Sequence, residues 1–459
     1  HCPKVHLRKG IAVTNGKLHI VFVSPKGPLY RHKTGIFKKA LRPAPITFPT
    51  LASLVPEELN PTFTVLDEGV QDIEPDEVQA DLIAMTAITG SAPRAYQLAA
   101  AFRKRGIPVV IGGPHPTLAP EDAAPHADAV VTGYAEETWP ELLRDFVKGE
   151  MKPRYDMAPD FSFGKLANLP FPRRDVMKKG GYRTLHTFEA TRGCVHDCDF
   201  CVVPHAWGRK PFLKPIDYVV ADIKQMRSRK VVFYDLNIIA DRPYAKELFE
   251  ALIPLKIKWY GLATALMGRD PELLELARKS GCRGLLVGFE SVSEDSLADQ
   301  HKRFNQPKLY REFIHDLQQL GIAINGTFAF GSDGDTVDSF DQVIDFVMEN
   351  RIELPRFAIL APFPGTALFR KLEGEGRILH RNWEDFAGQH VVFQPKNMSP
   401  DELMDGHHRV WRKVYSTKAI FHRCRGKKAN TALLLAANMG YRYYAYQLHK
   451  FYNCTGGMV

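Results

Sequence analysis

The chain has 459 residues, 45% hydrophobic and 25% charged, which excludes collagen-like, mucin-like and wholly disordered architectures. Its 61 Lys and Arg against 52 Asp and Glu leave a net charge of +9, a mild excess that permits acidic ligands without calling for a specific nucleic acid. No apolar run reaches the ~18–20 residues of a transmembrane segment, and residues 1–4 show no secretory leader, so the expected location is cytoplasmic.

Length alone suggests about three domains. Up to residue 150, short and nearly continuous apolar runs at 17–24, 63–66, 81–86, 107–111 and 127–131 read as parallel strands covered on both faces. Helical spacing over 94–105, closed by Gly106, and over 137–146 separates some of them. The expectation for 1–150 is an α/β fold, a doubly wound Rossmann-like sheet of about five strands. Pro159, Pro170 and Pro172 mark 151–185 as a linker. Strand signals then recur at 187–191, 230–235, 257–261, 284–290, 323–330 and 356–361, with helices such as 271–280 and 307–320 between them. That series predicts a partial (β/α) barrel of six units over 186–384, with ligands at the carboxyl ends of its strands. Residues 385–459 read as a mainly helical region that caps the barrel mouth and shapes substrate choice. Within it His407 and His408 are expected at the surface or in a cap, and Arg409, Arg412 and Lys413 on a solvated helix face.

Seven cysteines are too few, and odd in number, for a disulfide framework in a chain this long. Three fall within eight residues, Cys194, Cys198 and Cys201 in the segment TRGCVHDCDFC, just after the first strand of the second series. Thiolates are soft ligands that suit iron–sulfur clusters or zinc. Three of them hold three irons of a 4Fe–4S cluster and leave the fourth open to a substrate or cofactor. Zinc would need a fourth ligand, for which His196 and His205 are the nearby candidates. Cys282, Cys424 and Cys454 have no neighbouring cysteine and read as packing or free thiols.

The C-x3-C-x2-C spacing, with Phe200 before the last cysteine, resembles the signature of the radical S-adenosylmethionine enzymes. The resemblance implies that the three cysteines hold the cluster and that its open iron chelates S-adenosylmethionine. One-electron cleavage then releases a 5′-deoxyadenosyl radical. It also implies that Phe200 packs near the adenine, and that Asp235, Glu290, Ser291 and Lys302 face the same cofactor. Residues 326–331 and 361–366 look like the family's later strand ends.

Upstream, residues 49–56, 65–68, 111–117 and 131–137 resemble the cobalamin-binding domain fused before many such barrels. Glycines after strands let a backbone approach a bulky planar ligand. The resemblance assigns cobalamin contacts to Thr86, Thr89, Gly112, Gly113, His115, Thr117, Gly133 and Glu136, with Ser91 on the same face. A D-x-H-x-x-G motif is absent, so cobalt is expected to lack a lower His ligand, and His115 reads as turn-forming or phosphate-facing.

Together the two resemblances imply a cobalamin-dependent radical S-adenosylmethionine enzyme that methylates an unactivated carbon. The substrate carbon would lie between the deoxyadenosyl carbon and cobalt, so the two domains would face each other. Cyclisation, ring contraction or another rearrangement without methyl transfer is the alternative. Methylthiotransfer to transfer RNA needs a second upstream cysteine trio, and only Cys2 lies upstream. A non-enzymatic cobalamin and cluster sensor is opposed by the intact trio. The implied partners are a small-molecule or lipid-like substrate and an electron donor such as flavodoxin or ferredoxin.

Overall fold

Alternate residues of β1 (Leu18–Ser24) enter two different cores: Leu18, Ile20 and Phe22 pack on one side, Val21 and Val23 on the other. The same division splits β3 (Leu82–Thr86), β4 (Val109–Gly112) and β5 (Ala129–Thr132). This is why their sequence is nearly continuously apolar: helices such as Ala92–Lys104 and Thr138–Lys148 cover both faces. With β2 (Pro61–Asp67) and β6 (Arg154–Asp156) they form one six-stranded sheet in the order β2-β1-β3-β4-β5-β6, parallel throughout.

This computed structural model describes residues 17–27, 42–162, 169–429 and 431–446; Cys2 and Cys454 lie outside them. The described residues fall into two compact units that divide, but for Ser162, between Leu185 and His186. The expected linker 151–185 is corrected on this point. Its start supplies the sixth strand, and Met177 and Tyr182 pack into the first unit's core, where the Tyr182 hydroxyl donates to Asp67 Oδ2 at 2.7 Å. A strand carrying one apolar residue between two prolines has no visible periodicity, yet Tyr155 is buried at the sheet edge.

The second unit holds β7 (Thr187–Phe188), β8 (Thr191–Arg192), β9 (Phe212–Leu213), β10 (Lys230–Phe233), β11 (Lys258–Ala263), β12 (Cys282–Glu290), β13 (Ala323–Phe330) and β14 (Arg356–Ile359). Six of them run parallel in the order β14-β13-β12-β11-β10-β7, and β8 and β9 form a short antiparallel pair. Here burial alternates. Trp259, Leu285, Val287 and Ile324 are buried under helices, whereas Tyr260, Leu286 and Thr327 are half-buried, as on the inner face of an open barrel.

The C-terminal helices Pro400–Val414, Thr417–Cys424 and Thr431–Ala445 extend this second core. Trp411 Nε1 donates to Phe357 O at 3.1 Å, and the Tyr415 hydroxyl donates to Pro355 O at 2.6 Å. His407, expected at the surface, is fully buried between Phe357 O and Trp411, and burial lowers it to about 3, so it stays neutral. Arg412 and Lys413 are exposed on the helix face, as expected, and Arg409 and Lys413 reach Asp341 there, at 2.7 and 3.0 Å. Cys282 and Cys424 are buried free thiols. Among the described residues no helix is long and apolar enough to cross a membrane.

Candidate functional site

The cysteine segment is held at its base by backbone chemistry. Gly193 takes φ +82°, and a Cβ there would come within 3.0 Å of Lys210 O, so glycine is required immediately before Cys194. Asp235, just past β10, is fully buried; Oδ1 accepts from Thr191 N at 2.5 Å and its two oxygens lie 3.1 and 3.2 Å from Ala190 N. Asp235 therefore grips the strand that delivers the trio, which corrects its expected role as a cofactor contact. Burial, then the nearby Glu189 carboxylate, push its carboxyl up to about 7. Burial acts in the same direction on Glu189, but Arg192 and Lys214 hold that group at about 2.

The loop itself is tied to the segments that follow two later strands, β12 and β14. Asp199 N donates to Gln300 O at 3.3 Å, and Leu368 N donates to Asp199 O at 3.0 Å. Cys201 N donates to Cys198 O at 3.0 Å, and Asn237 Nδ2 approaches Cys194 Sγ at 3.9 Å. All three cysteines are free and near enough to perturb one another electrostatically. Burial raises Cys198 to about 11 and Cys201 to about 12. The zinc alternative lacks its fourth ligand: His196 stacks on Phe304 with ring centroids 3.7 Å apart, and His205 Nε2 accepts from Ala367 N at 3.2 Å. Among the described residues no three His, Cys, Asp or Glu side chains converge to hold a single ion. Three sulfurs on one loop, without a convergent nitrogen or oxygen ligand, fit an iron–sulfur cluster with one open iron.

Beside the trio, Glu290 closes β12 at a register shift with φ +65°, a left-handed conformation costly for a side-chain-bearing residue. Its Oε1 accepts from Lys302 Nζ at 2.8 Å, and both side chains are largely buried. A Cβ on Gly288 would fall 2.3 Å from Glu290 Oε1, so this glycine makes room for the ion pair. Burial pulls the Lys302 ammonium down, but Glu290 and Cys198 outweigh it and raise it overall. Lys302 Nζ also lies 5.9 Å from the Phe200 ring centroid. Ser291 is buried, and its Oγ accepts from Ser293 N at 3.1 Å. Three buried atoms in the segments that follow β10, β11 and β12 have no protein partner: Asn237 Oδ1, Thr264 Oγ1 and Gln300 Oε1. They escaped sequence reading because nothing in their spacing marks an oxygen that is buried without a partner. An open cleft beside the cysteine loop is lined by Phe200, Gln300, Ser332 and Leu360.

In the first unit the strand order reverses between β1 and β3, the position where open parallel sheets bind ligands. Thr86 ends β3 at that crevice and Thr89 and Ser91 follow it; Gly112 ends β4 and Gly113, His115 and Thr117 follow it; Gly133 and Glu136 follow β5. Several of these groups serve the protein first. Gly113 takes φ +102°, and a Cβ there would strike Thr86 Oγ1 at 2.6 Å; at Gly133 it would strike Met157 at 2.5 Å. Thr117 Oγ1 donates to Gly113 O at 2.8 Å and accepts from Gly133 N at 2.9 Å. His115 is fully buried, with Nε2 at 2.9 Å from Asp122 and 3.0 Å from the Tyr96 hydroxyl, and Nδ1 at 3.3 Å from Thr89 Oγ1. Neither ring nitrogen is left for a metal or a phosphate, so His115 anchors the loop. The small side chains of this edge and the buried, unpartnered Thr138 Oγ1 beside it fit a planar ligand held mainly by backbone.

Comparison with known proteins agrees with both sites. The Radical SAM superfamily profile matches residues 188–347, the B12 binding domain profile residues 63–143, and a domain of unknown function (DUF4070) residues 366–443. The chain is 33% identical to the bacteriochlorophyllide d C-12(1)-methyltransferase of Chlorobaculum tepidum, over 84% of this chain and 86% of the relative. It is 30% identical to that organism's bacteriochlorophyllide d C-8(2)-methyltransferase, over 81% and 86%. The fold matches the radical S-adenosylmethionine methyltransferase TsrM from Kitasatospora setae, with a TM-score of 0.67 at 14% identity over 94% of this chain and 100% of that one. A cysteine trio after the first barrel strand, a B12-type sheet ahead of it and methyltransferase relatives along most of the chain lead to one assignment: the protein belongs to the cobalamin-dependent radical S-adenosylmethionine enzymes, and is a carbon methyltransferase that uses a 4Fe–4S cluster, S-adenosylmethionine and cobalamin.

Proposed function

We propose that the substrate is a tetrapyrrole and that the methyl group goes to a saturated carbon of one of its ring substituents. The observation that carries this reading is that two relatives at 30% identity or more are named for bacteriochlorophyllide methylation. When bound, the cluster and S-adenosylmethionine supply a hydrogen-abstracting radical, and cobalamin supplies the methyl group. The chain's own task is placement and exclusion of water. Cys194, Cys198 and Cys201 hold the cluster, and the loops after β1, β3, β4 and β5 receive the corrin. A reductant of flavodoxin or ferredoxin type delivers the electron, and the reaction runs in the cytoplasm. The direct test is anaerobic reconstitution with S-adenosylmethionine carrying a labelled methyl and a chlorophyllide acceptor. A product one methyl group heavier supports the reading. Deoxyadenosine formed without methylated product favours the cyclase alternative, which a relative at 25% identity represents, an anaerobic magnesium-protoporphyrin IX monomethyl ester cyclase.

Two residue-level expectations follow from the geometry. Lys302 and Glu290 form a largely buried pair beside Phe200, and they face the carboxylate and ammonium ends of S-adenosylmethionine. Lys302→Met removes a charge-assisted donor, so affinity for S-adenosylmethionine should fall about tenfold or more. An unchanged Kd by calorimetry would remove Lys302 from the cofactor site. His115→Ala, by contrast, should leave the absorbance bands of bound cobalamin in place, because both ring nitrogens already serve Asp122, Tyr96 and Thr89. It should cost about 2–4 kcal/mol of stability through the lost packing and bonds. A shifted cobalt spectrum in that variant would show that His115 is a ligand after all.

A further inference from the structure

Charge is distributed along this chain in a way the catalytic site does not explain. Residues 406–459 contain ten Lys and Arg and no Asp or Glu, whereas the 51 cations of residues 1–405 are matched by 52 acids. The whole net charge of +9 therefore resides in the last 54 residues. Part of this excess is neutralised within the fold: Arg409 and Lys413 meet Asp341, and Lys427 meets Glu353 at 3.1 Å. Arg423 is buried among backbone carbonyls. Arg412, Lys418 and Arg425 are exposed and pair with no carboxylate among the described residues.

The same helices carry apolar side chains that point outward. Phe421 is 60% exposed, Met439 53%, and Leu433 and Tyr446 42% each. On the helix Thr417–Cys424 and its cap, Lys418, Phe421 and Arg425 stand three and four residues apart, so one face presents an aromatic ring between two cations. On the helix Thr431–Ala445 the exposed residues Leu433, Ala436, Met439 and Tyr443 recur at helical spacing, while Leu434, Asn438 and Ala445 face the core. The two helices are joined by Arg423 Nη2 donating to Asn438 Oδ1 at 3.0 Å.

We propose that these two helices dock the enzyme on an anionic lipid bilayer. Cations attract acidic headgroups, and Phe, Met and Leu side chains gain by entering the acyl boundary, with Tyr at the headgroup level. A nucleic acid would use the cations but leave Leu433 and Met439 without a purpose. An acidic protein partner would place carboxylates opposite aliphatic side chains.

The test is flotation of the full-length protein with vesicles, either pure phosphatidylcholine or containing about one-third phosphatidylglycerol. The protein should float with the anionic vesicles alone and detach as salt is raised. The pair Lys418→Glu and Arg425→Glu should weaken binding about tenfold or more. The pair Phe421→Ser and Met439→Ser should weaken it at constant charge. Both pairs should leave the unfolding temperature near that of the unaltered protein. Failure of the unaltered protein to float overturns the proposal, and that measurement stands whether or not a variant folds. So does binding to duplex DNA that competes with vesicles and ignores the serine pair.

Discussion

Replacing Cys198 by Ala is expected to strip the cluster and lower labelled-methyl transfer about a hundredfold or more, with deoxyadenosine formation lost in parallel. The cause lies in burial as much as in ligand count. Cys198 and Cys201 sit where burial raises their thiols to about 11 and 12, so at neutral pH both are protonated until iron displaces the protons. Lys302 is the nearby cation that favours their thiolates. With one of three sulfurs gone, the Cys201 thiol meets the same desolvation with less metal bonding to offset it. The fold should survive, because the trio lies on a loop at the mouth of the barrel and away from its packed helices. Cys282→Ala supplies the contrast. That thiol is buried in the second core, so the variant should lose about 1–2 kcal/mol of stability in urea yet keep its iron. Full iron content and turnover in the Cys198→Ala protein would overturn the ligand assignment.

The parts of the fold that could be read beforehand share one property: each is written in local side-chain chemistry. β1, β3, β4 and β5 announced themselves because both of their faces are buried, and so nearly every residue is apolar. β6 did not, because an edge strand of three residues needs only Tyr155 to face the core. His407 misled for a related reason. Its helix is amphipathic, but a histidine can lie on either face, and Phe357 O and Trp411 decide which one.

The site divides in the same way. The trio was legible because thiolates so close in sequence have few purposes other than metal. Asp235 was visible as a carboxylate after a strand, but nothing in spacing tells whether a carboxylate faces a ligand or the amides of Ala190 and Thr191. Asn237, Thr264 and Gln300 were missed altogether. They lie in three separate segments after β10, β11 and β12, and only the folded chain shows that their side-chain oxygens are buried without a partner. The same holds for Gly288, whose missing Cβ matters only because Glu290 and Lys302 fill that space.

Asp235→Ala is expected to lower both stability and cluster content, and this graded loss separates a positioning residue from a ligand. The substitution leaves the buried amides of Ala190 and Thr191 without their acceptor, at a cost of about 1–3 kcal/mol for each. The strand end that feeds Cys194 would then fray, and iron content should fall to an intermediate value. Asp235→Asn keeps one acceptor oxygen and should retain most of the iron. The pH dependence has a definite sign. The carboxyl is raised from 3.8 to about 7, so the folded state holds its proton more tightly than the unfolded chain. Its stabilising contribution is complete below about pH 4 and is lost as pH rises through about 7. Glu189 acts oppositely and elsewhere: held at about 2, it contributes above about pH 4.5 and loses that contribution only as pH falls toward 2. Between about pH 5 and 7 the difference in stability between the unaltered protein and Asp235→Asn should therefore decline with rising pH. A difference that stays flat across that interval would mean that Asp235 is already ionised in the folded protein. Its hold on Ala190 and Thr191 would then be stronger than burial and the repulsion from Glu189.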